Sequence, residues 1–291
     1  MLQDKYKLPE NIHNIILEQL KKDTFRNKTP VKNPQIYILG WQPGAGKSIL
    51  TQKALLSSDD NNFVSINGDE FRTLHPQARE IFQHHNKDFA QMTDADTRLW
   101  TSEIFEEAIK NRYNIIFEGT MRTNQICHTI ARLQNEDYQI NILAMAVPEI
   151  KSRISIYSRD QEQLDRYPIA RFTSKISHDA AYSGMLDTLK EIEEKHLYDT
   201  LMVFNRDNQT IFQTGDKDIV KAIITERKKN LSLQDTQDLS SNIDILLNKM
   251  KERNENSCYI EDLKSLRKQI TFSDIGYKMY NQLAISRKYS K

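Results

Sequence analysis

The chain has 291 residues, 41 basic and 40 acidic side chains, 38% hydrophobic residues and only 8 glycines. That length admits one large domain, or one of about 200 residues with an appendage. The near-neutral balance excludes the basic excess of a dedicated nucleic-acid binder, and two cysteines, Cys127 and Cys258, exclude a disulfide framework.

The charged N-terminus lacks an apolar signal core. The longest apolar run, around residues 140–147, is far below the roughly 18 residues of a membrane span. A cytoplasmic protein that does not engage a membrane is expected.

Ile12, Ile15, Ile16 and Leu20 recur at helical spacing over residues 11–24, and a loop with Pro30 and Pro34 follows. Residues 35–39 are a short apolar run ending in a glycine-containing turn, as a buried strand would be. A helix is expected over 47–57, a strand over 63–67, and helices over 76–91 and 94–111. Residues 113–118 form the next strand, 123–136 a helix and 139–147 another strand. Pro148 opens a helix in the manner of a first-turn proline, and 173–195 are a long helix. Strands 200–204 and 209–213 bracket the turn-like Asn205–Asn208.

Strands alternating with long helices predict an α/β fold: a P-loop kinase-like parallel sheet flanked by helices, with a hairpin at one edge. Beyond Gly215 there is no strand pattern, and 15 basic against 11 acidic residues accompany three or four helical segments. The expected division is an N-terminal helix and linker (1–34), a kinase-like domain (35–215) and an all-helical C-terminal extension (216–291).

Five of the scarce glycines fall in three strand-end turns: Gly40, Gly44 and Gly46, then Gly68, then Gly119. The first turn is Gly40-Trp41-Gln42-Pro43-Gly44-Ala45-Gly46-Lys47-Ser48, between strand and helix, the context of a phosphate-binding loop. Gly44, Ala45, Gly46, Lys47, Ser48 and Ile49 form the expected nucleotide-binding set, with ATP and Mg²⁺ as ligands. Lys47 would sit on the β- and γ-phosphates, and the Ser48 hydroxyl would ligate the metal. Trp41 stands where such loops usually carry glycine, and Gly40 partly compensates.

The other two turns place Asp69 and Glu118 on the same sheet edge, where α/β folds bind ligands. Asp69 can accept the proton of an attacking hydroxyl, or cap the helix that begins near Glu70. Glu118 can hold the acceptor or organise Mg²⁺. Arg122, Arg159 and Arg171 carry the guanidinium fork that suits phosphate, but Arg153, Arg166 and Arg171 cannot be ranked by sequence. The seven histidines show no metal spacing.

Over residues 35–215 the chain resembles the zeta toxins of bacterial toxin–antitoxin systems. The likeness rests on Gln42–Ser48, Ile66–Phe71 with His75-Pro76, Tyr113–Arg122, Met145–Pro148, Arg159, Ala170–Thr173, His178-Asp179 and Asn205-Arg206. The resemblance implies an ATP-dependent kinase that phosphorylates an amino-sugar hydroxyl of UDP-N-acetylglucosamine and blocks cell-wall precursor synthesis. It implies Asp69 as catalytic base, Lys47, Arg159 and Arg171 on the ATP phosphates, and Glu118, Thr120 and Arg122 at the acceptor. Glu103 matches a substrate-binding glutamate if one residue is deleted, and a small antitoxin is the implied partner. Against that family pattern, Asn67 replaces a more usual aspartate and Met121 a frequent glycine. The alternatives are a kinase for another acceptor (an antibiotic, another sugar nucleotide, a polynucleotide end) or a nucleotide-dependent binding protein.

Overall fold

A computed structural model describes residues 5–57, 62–167, 170 and 172–270. Helix α1 (Glu10–Thr24) leads to β1 (Gln35–Gly40), α2 (Ser48–Leu56), β2 (Phe63–Ile66), the single-turn α3 (Gly68–Phe71), α4 (Ala78–His85), α5 (Phe89–Met92) and α6 (Asp94–Lys110). Next come β3 (Asn114–Gly119), α7 (Gln125–Asn135), β4 (Gln139–Met145), α8 (Glu149–Arg166), α9 (Lys175–Glu194), β5 (Thr200–Phe204), β6 (Thr210–Gln213), α10 (Ile219–Arg227) and α11 (Leu233–Glu252). A further helical stretch covers 257–270.

The six strands form one sheet in the order β2-β3-β1-β4-β5-β6. β1 to β5 are parallel, and β6 returns antiparallel to β5, as the hairpin signal predicts. β1 has β3 on one side and β4 on the other, so the chain reverses its winding there and opens a crevice at the carboxyl end of β1.

Alternate strand residues serve the two faces. Ile36, Ile38, Ile115, Ile140 and Ile142 face a core shared with α1, α6, α7, α9 and α10, while Leu39, Ile116, Leu143 and Met145 pack on Leu50 and Ala54 of α2. A third core joins Ile154 and Tyr157 of α8 to Ile243 and Met250 of α11 and to Leu263 and Ile270. Arg153 is buried in an ion pair with Asp262, whose second oxygen accepts from the Tyr157 hydroxyl at 2.8 Å. Arg153 thus clamps α8 to the extension.

One detail differs from expectation. Residues 76–91 are not one helix: α4 ends at His85, and Asn86–Asp88 make a short 3₁₀ turn. Lys87 is drawn out of line there, its ammonium 2.8 Å from Asp160 and 4.2 Å from the centre of the Phe172 ring. The turn at Gly215 ends the hairpin, yet α10 just beyond it contributes Ile219 and Ile223 to the main core. Among the described residues no helix is long and apolar enough to cross a membrane.

Gly184 in α9 lets that helix touch the loop after β3, since a Cβ there would stand 2.0 Å from the Arg122 carbonyl oxygen. Alanine would gain about 1 kcal/mol in helix propensity, but displacing a backbone atom costs about 1–3 kcal/mol or more. Gly184→Ala is therefore expected to lower the thermal unfolding midpoint by several degrees, checked by circular dichroism. An unchanged midpoint would contradict this close packing.

Candidate active site

Gly44 and Gly46 adopt φ of +81° and +99°, as a loop that turns its amides inward requires. A Cβ on Gly44 would also lie 2.0 Å from the Ser152 carbonyl oxygen of α8. The Gln42 side chain, fully buried, donates to the Val147 carbonyl at 2.7 Å and ties the loop to the end of β4. Lys47 occupies the N-cap position of α2, and Ser48 is exposed at its first position. Positive-φ glycines, a helix amino end and a lysine together fit a polyphosphate, with the Ser48 hydroxyl placed for a hard cation.

His178 and Asp179 act behind this loop. His178 is buried, with Nδ1 2.9 Å from Asp179 Oδ1 and Nε2 2.8 Å from the Ser152 hydroxyl. Burial pushes the His178 pKa down, so the ring is neutral at pH 7. Asp179 then accepts the Nδ1 proton, and Nε2 competes with the Glu149 carbonyl, 3.0 Å away, for the single proton of the Ser152 hydroxyl. The pair holds α8 against Gly44 and does not face the cavity.

The strand register brings Glu118 beside Leu39, immediately before the phosphate loop. Its side chain is only 6% exposed. It accepts from Lys47 Nζ at 2.7 Å, Asn67 Nδ2 at 2.8 Å and Thr51 Oγ1 at 3.0 Å. Lys47 Nζ also lies 5.3 Å from the centre of the Trp41 ring, so Trp41 packs in the core beneath the lysine without displacing it. Gly40 does not replace a loop glycine. It closes β1, and a Cβ there would meet the Met121 sulfur at 2.4 Å, so it makes room for Met121, itself at φ +49°.

The N-cap of α3 is Asn67, not Asp69. The Asn67 side chain caps α3, accepting the Asp69 amide at 3.1 Å, while its Nδ2 also donates to Glu70 Oε1 at 3.0 Å. The Asp69 carboxylate is not needed as a cap, and it is 59% exposed with Oδ1 3.2 Å from Arg72 Nε. Arg72 is held in turn by the Ala90 carbonyl at 2.6 Å and Asp94 at 3.1 Å.

Lys47, Asp69, Glu118, Thr120 and Arg159 line one cavity of about 590 Å³. Arg159 reaches it from α8, donating to Thr173 Oγ1 at 3.2 Å. Arg122 lies on an adjoining cavity of about 310 Å³ that shares Gly119 and Thr120. Glu103 is not brought in: it is exposed, and its charge acts on Lys21 toward α1. α6 turns Thr101, Ser102, Phe105 and Glu106 to the cavity, and at 100° per residue Glu103 faces away. Arg171 lies outside the described residues. Sequence reasoning missed Arg72, Thr51 and Glu106; the i, i+3 spacing of Asp69 and Arg72 was a usable signal, whereas Thr51 and Glu106 had none.

A parallel sheet whose first strand runs through a Gly-Lys-Ser loop into a helix, with acids from the next strands on the same edge, defines a P-loop kinase-type phosphotransferase. The family model described as Zeta toxin matches residues 17–217, carrying the likeness back into α1. The chain is 26% identical over 265 residues to Toxin zeta of Streptococcus pyogenes, covering 89% of this chain and 91% of that one. A chain from the PezAT chromosomal toxin–antitoxin system of Streptococcus pneumoniae shares the fold with a TM-score of 0.71 at 21% identity, over 85% of this chain and 99% of that one. The AvrRxo1-ORF1:-ORF2 structure with ATP gives a TM-score of 0.55 at 11% identity over 88% of each chain. The chain belongs to the zeta toxin family.

Asn67→Asp keeps a good cap but replaces a donor with a third carboxylate facing Glu118 and Glu70. A loss of about 1–3 kcal/mol is expected, larger at pH 8 than at pH 5, where protonation restores a donor. Urea unfolding at both pH values checks it; equal stability of variant and parent at pH 8 would refute it.

His178 gives a second expectation. Its folded pKa lies below the ordinary value of about 6.5, so the unfolded chain takes up the proton first. Stability is full above about pH 6.5 and falls as pH drops through the window below it. The decline in urea midpoint from pH 7.5 to 5.5 should be smaller in His178→Gln than in the parent. Identical declines would show that His178 does not contribute.

Proposed function

We propose that the protein is an ATP-dependent kinase that transfers a phosphoryl group to a sugar hydroxyl of UDP-N-acetylglucosamine or a related nucleotide-sugar, and that it is toxic through loss of cell-wall precursors. The observation that carries this reading is one cavity lined by Lys47, Asp69, Glu118, Thr120 and Arg159 at the carboxyl edge of the sheet. Bound to the Gly44–Ile49 loop, MgATP would supply the phosphoryl group, with Ser48 as a metal ligand.

Lys47 and Arg159 neutralise charge that develops on the transferred group. Asp69, exposed to the cavity and relieved of capping, accepts the proton of the acceptor hydroxyl. Glu118, Thr120 and Arg122 orient the acceptor. Arg171 carries the phosphate role that family resemblance gives it, and a small antitoxin acts as the cytoplasmic partner. The division at residues 34 and 215 belongs to the same proposal.

Asp69→Asn is expected to bind ATP within about twofold of the parent while slowing transfer about 10²–10⁴-fold. Labelled ATP with UDP-N-acetylglucosamine, followed by mass analysis, measures both. Transfer at the parental rate would remove Asp69 as the base. A labelled antibiotic, polynucleotide or different sugar nucleotide from a metabolite extract, with none on UDP-N-acetylglucosamine, would overturn the acceptor.

A further inference from the structure

Arg227 ends α10, beyond the residues 17–217 that carry the family match. It is 7% exposed. Its Nη1 donates to the Tyr182 carbonyl at 2.6 Å, its guanidinium carbon lies 3.8 Å from the centre of the Tyr182 ring, and its Nη2 donates to Gln42 Oε1 at 3.3 Å. Among the described residues the buried Nε has no hydrogen-bond partner. Among the described residues no carboxylate pairs with Arg227, and neighbouring Glu226 pairs with Lys229 instead. Burial lowers its pKa to about 10, which still leaves it charged at neutral pH.

Packing alone does not explain this residue. A buried cation without a counter-ion costs more than an apolar side chain of similar volume. The charge is spent beside Gln42, a member of the phosphate loop. Both ends of the Gln42 amide are used, Nε2 toward Val147 and Oε1 toward Arg227, which fixes its orientation. The Gln42 backbone carbonyl accepts from the Ala45 amide at 3.1 Å, inside the phosphate-loop turn. α9 thus supports the loop twice, through His178 and Ser152 against Gly44 and through Tyr182 and Arg227 onto Gln42.

We propose that Arg227 is a positioning residue of the nucleotide site: it holds the phosphate loop through Gln42 and keeps a positive charge behind the loop for a polyphosphate to meet. The proposal rests on the reading of this loop as a nucleotide site, and it makes α10 part of that site.

The test is calorimetric titration of the full chain with MgATP and with adenosine, which lacks phosphate, alongside thermal unfolding without ligand. Arg227→Met is expected to weaken MgATP about 10-fold and to leave adenosine unchanged. Arg227→Lys, which keeps the charge but cannot span Gln42 and Tyr182, should fall between. An Arg227→Met variant that melts earlier but binds MgATP less than threefold more weakly would show a merely structural role and overturn the proposal. Should Arg227→Met fail to fold, Arg227→Lys decides: weakening by threefold or more supports the proposal, and less overturns it. Lys47→Ala separates the two readings. If it loses MgATP while the Arg227 variants do not, only the Arg227 proposal falls; a parent chain that binds no MgATP overturns both.

Discussion

The carboxylate of Glu118 organises the site. It is nearly sealed from water, and such a charge is tolerated only when donors replace its hydration. Three do so, from three segments: Lys47 of the phosphate loop, Thr51 of α2 and Asn67 after β2. Satisfying one buried acid therefore fixes the spacing between the phosphate loop, the first helix behind it and the turn that carries Asp69. Removing a partner from a group this buried typically costs about 3–5 kcal/mol, which makes these positions mutually dependent.

Two ion pairs in the cavity bear on ligand entry. Lys47 is already paired with Glu118, and Asp69 with Arg72. Each pair joins a group suited to phosphate with a group suited to an acceptor hydroxyl. A phosphate that draws Lys47 away leaves Glu118 with Thr51 and Asn67 as donors and with room for a new partner. The neutral amide of Asn67 matters here, because an aspartate in its place would add negative charge where Lys47 is to be released.

Much of this was legible in the sequence, because it depends on local signals. Strand ends followed by glycine announce the sheet edge, and the edge announces Lys47, Asp69 and Glu118. What was not legible depends on register or on distance along the chain. Glu103 was matched by a one-residue deletion, and one residue is 100° on a helix, enough to turn it from the cavity. The capping alternative for Asp69 could not be decided without knowing that Asn67 turns its oxygen inward. The break at Asn86–Asp88 follows from Asp160, more than seventy residues away. The Arg227–Gln42 contact joins residues 185 apart, and no periodicity records it.

The scarcity of glycine takes a different meaning from these contacts. Gly44 and Gly46 supply the turn, but Gly44 also admits α8, and Gly184 admits the loop that carries Arg122. Both are places where a backbone carbonyl occupies the space of a missing Cβ. Such contacts have no side chain to repack, so they resist compression more stiffly than a core of leucines does. One bears on the phosphate loop and the other on the loop of Thr120 and Arg122. α8, which carries both Ser152 and Arg159, is itself clamped by α11 and residues 257–270. A displacement of the C-terminal helices would therefore be transmitted to Arg159 and to the back of the phosphate loop together. The described part of the extension is therefore coupled to the site twice, by packing on α8 and by Arg227 on Gln42.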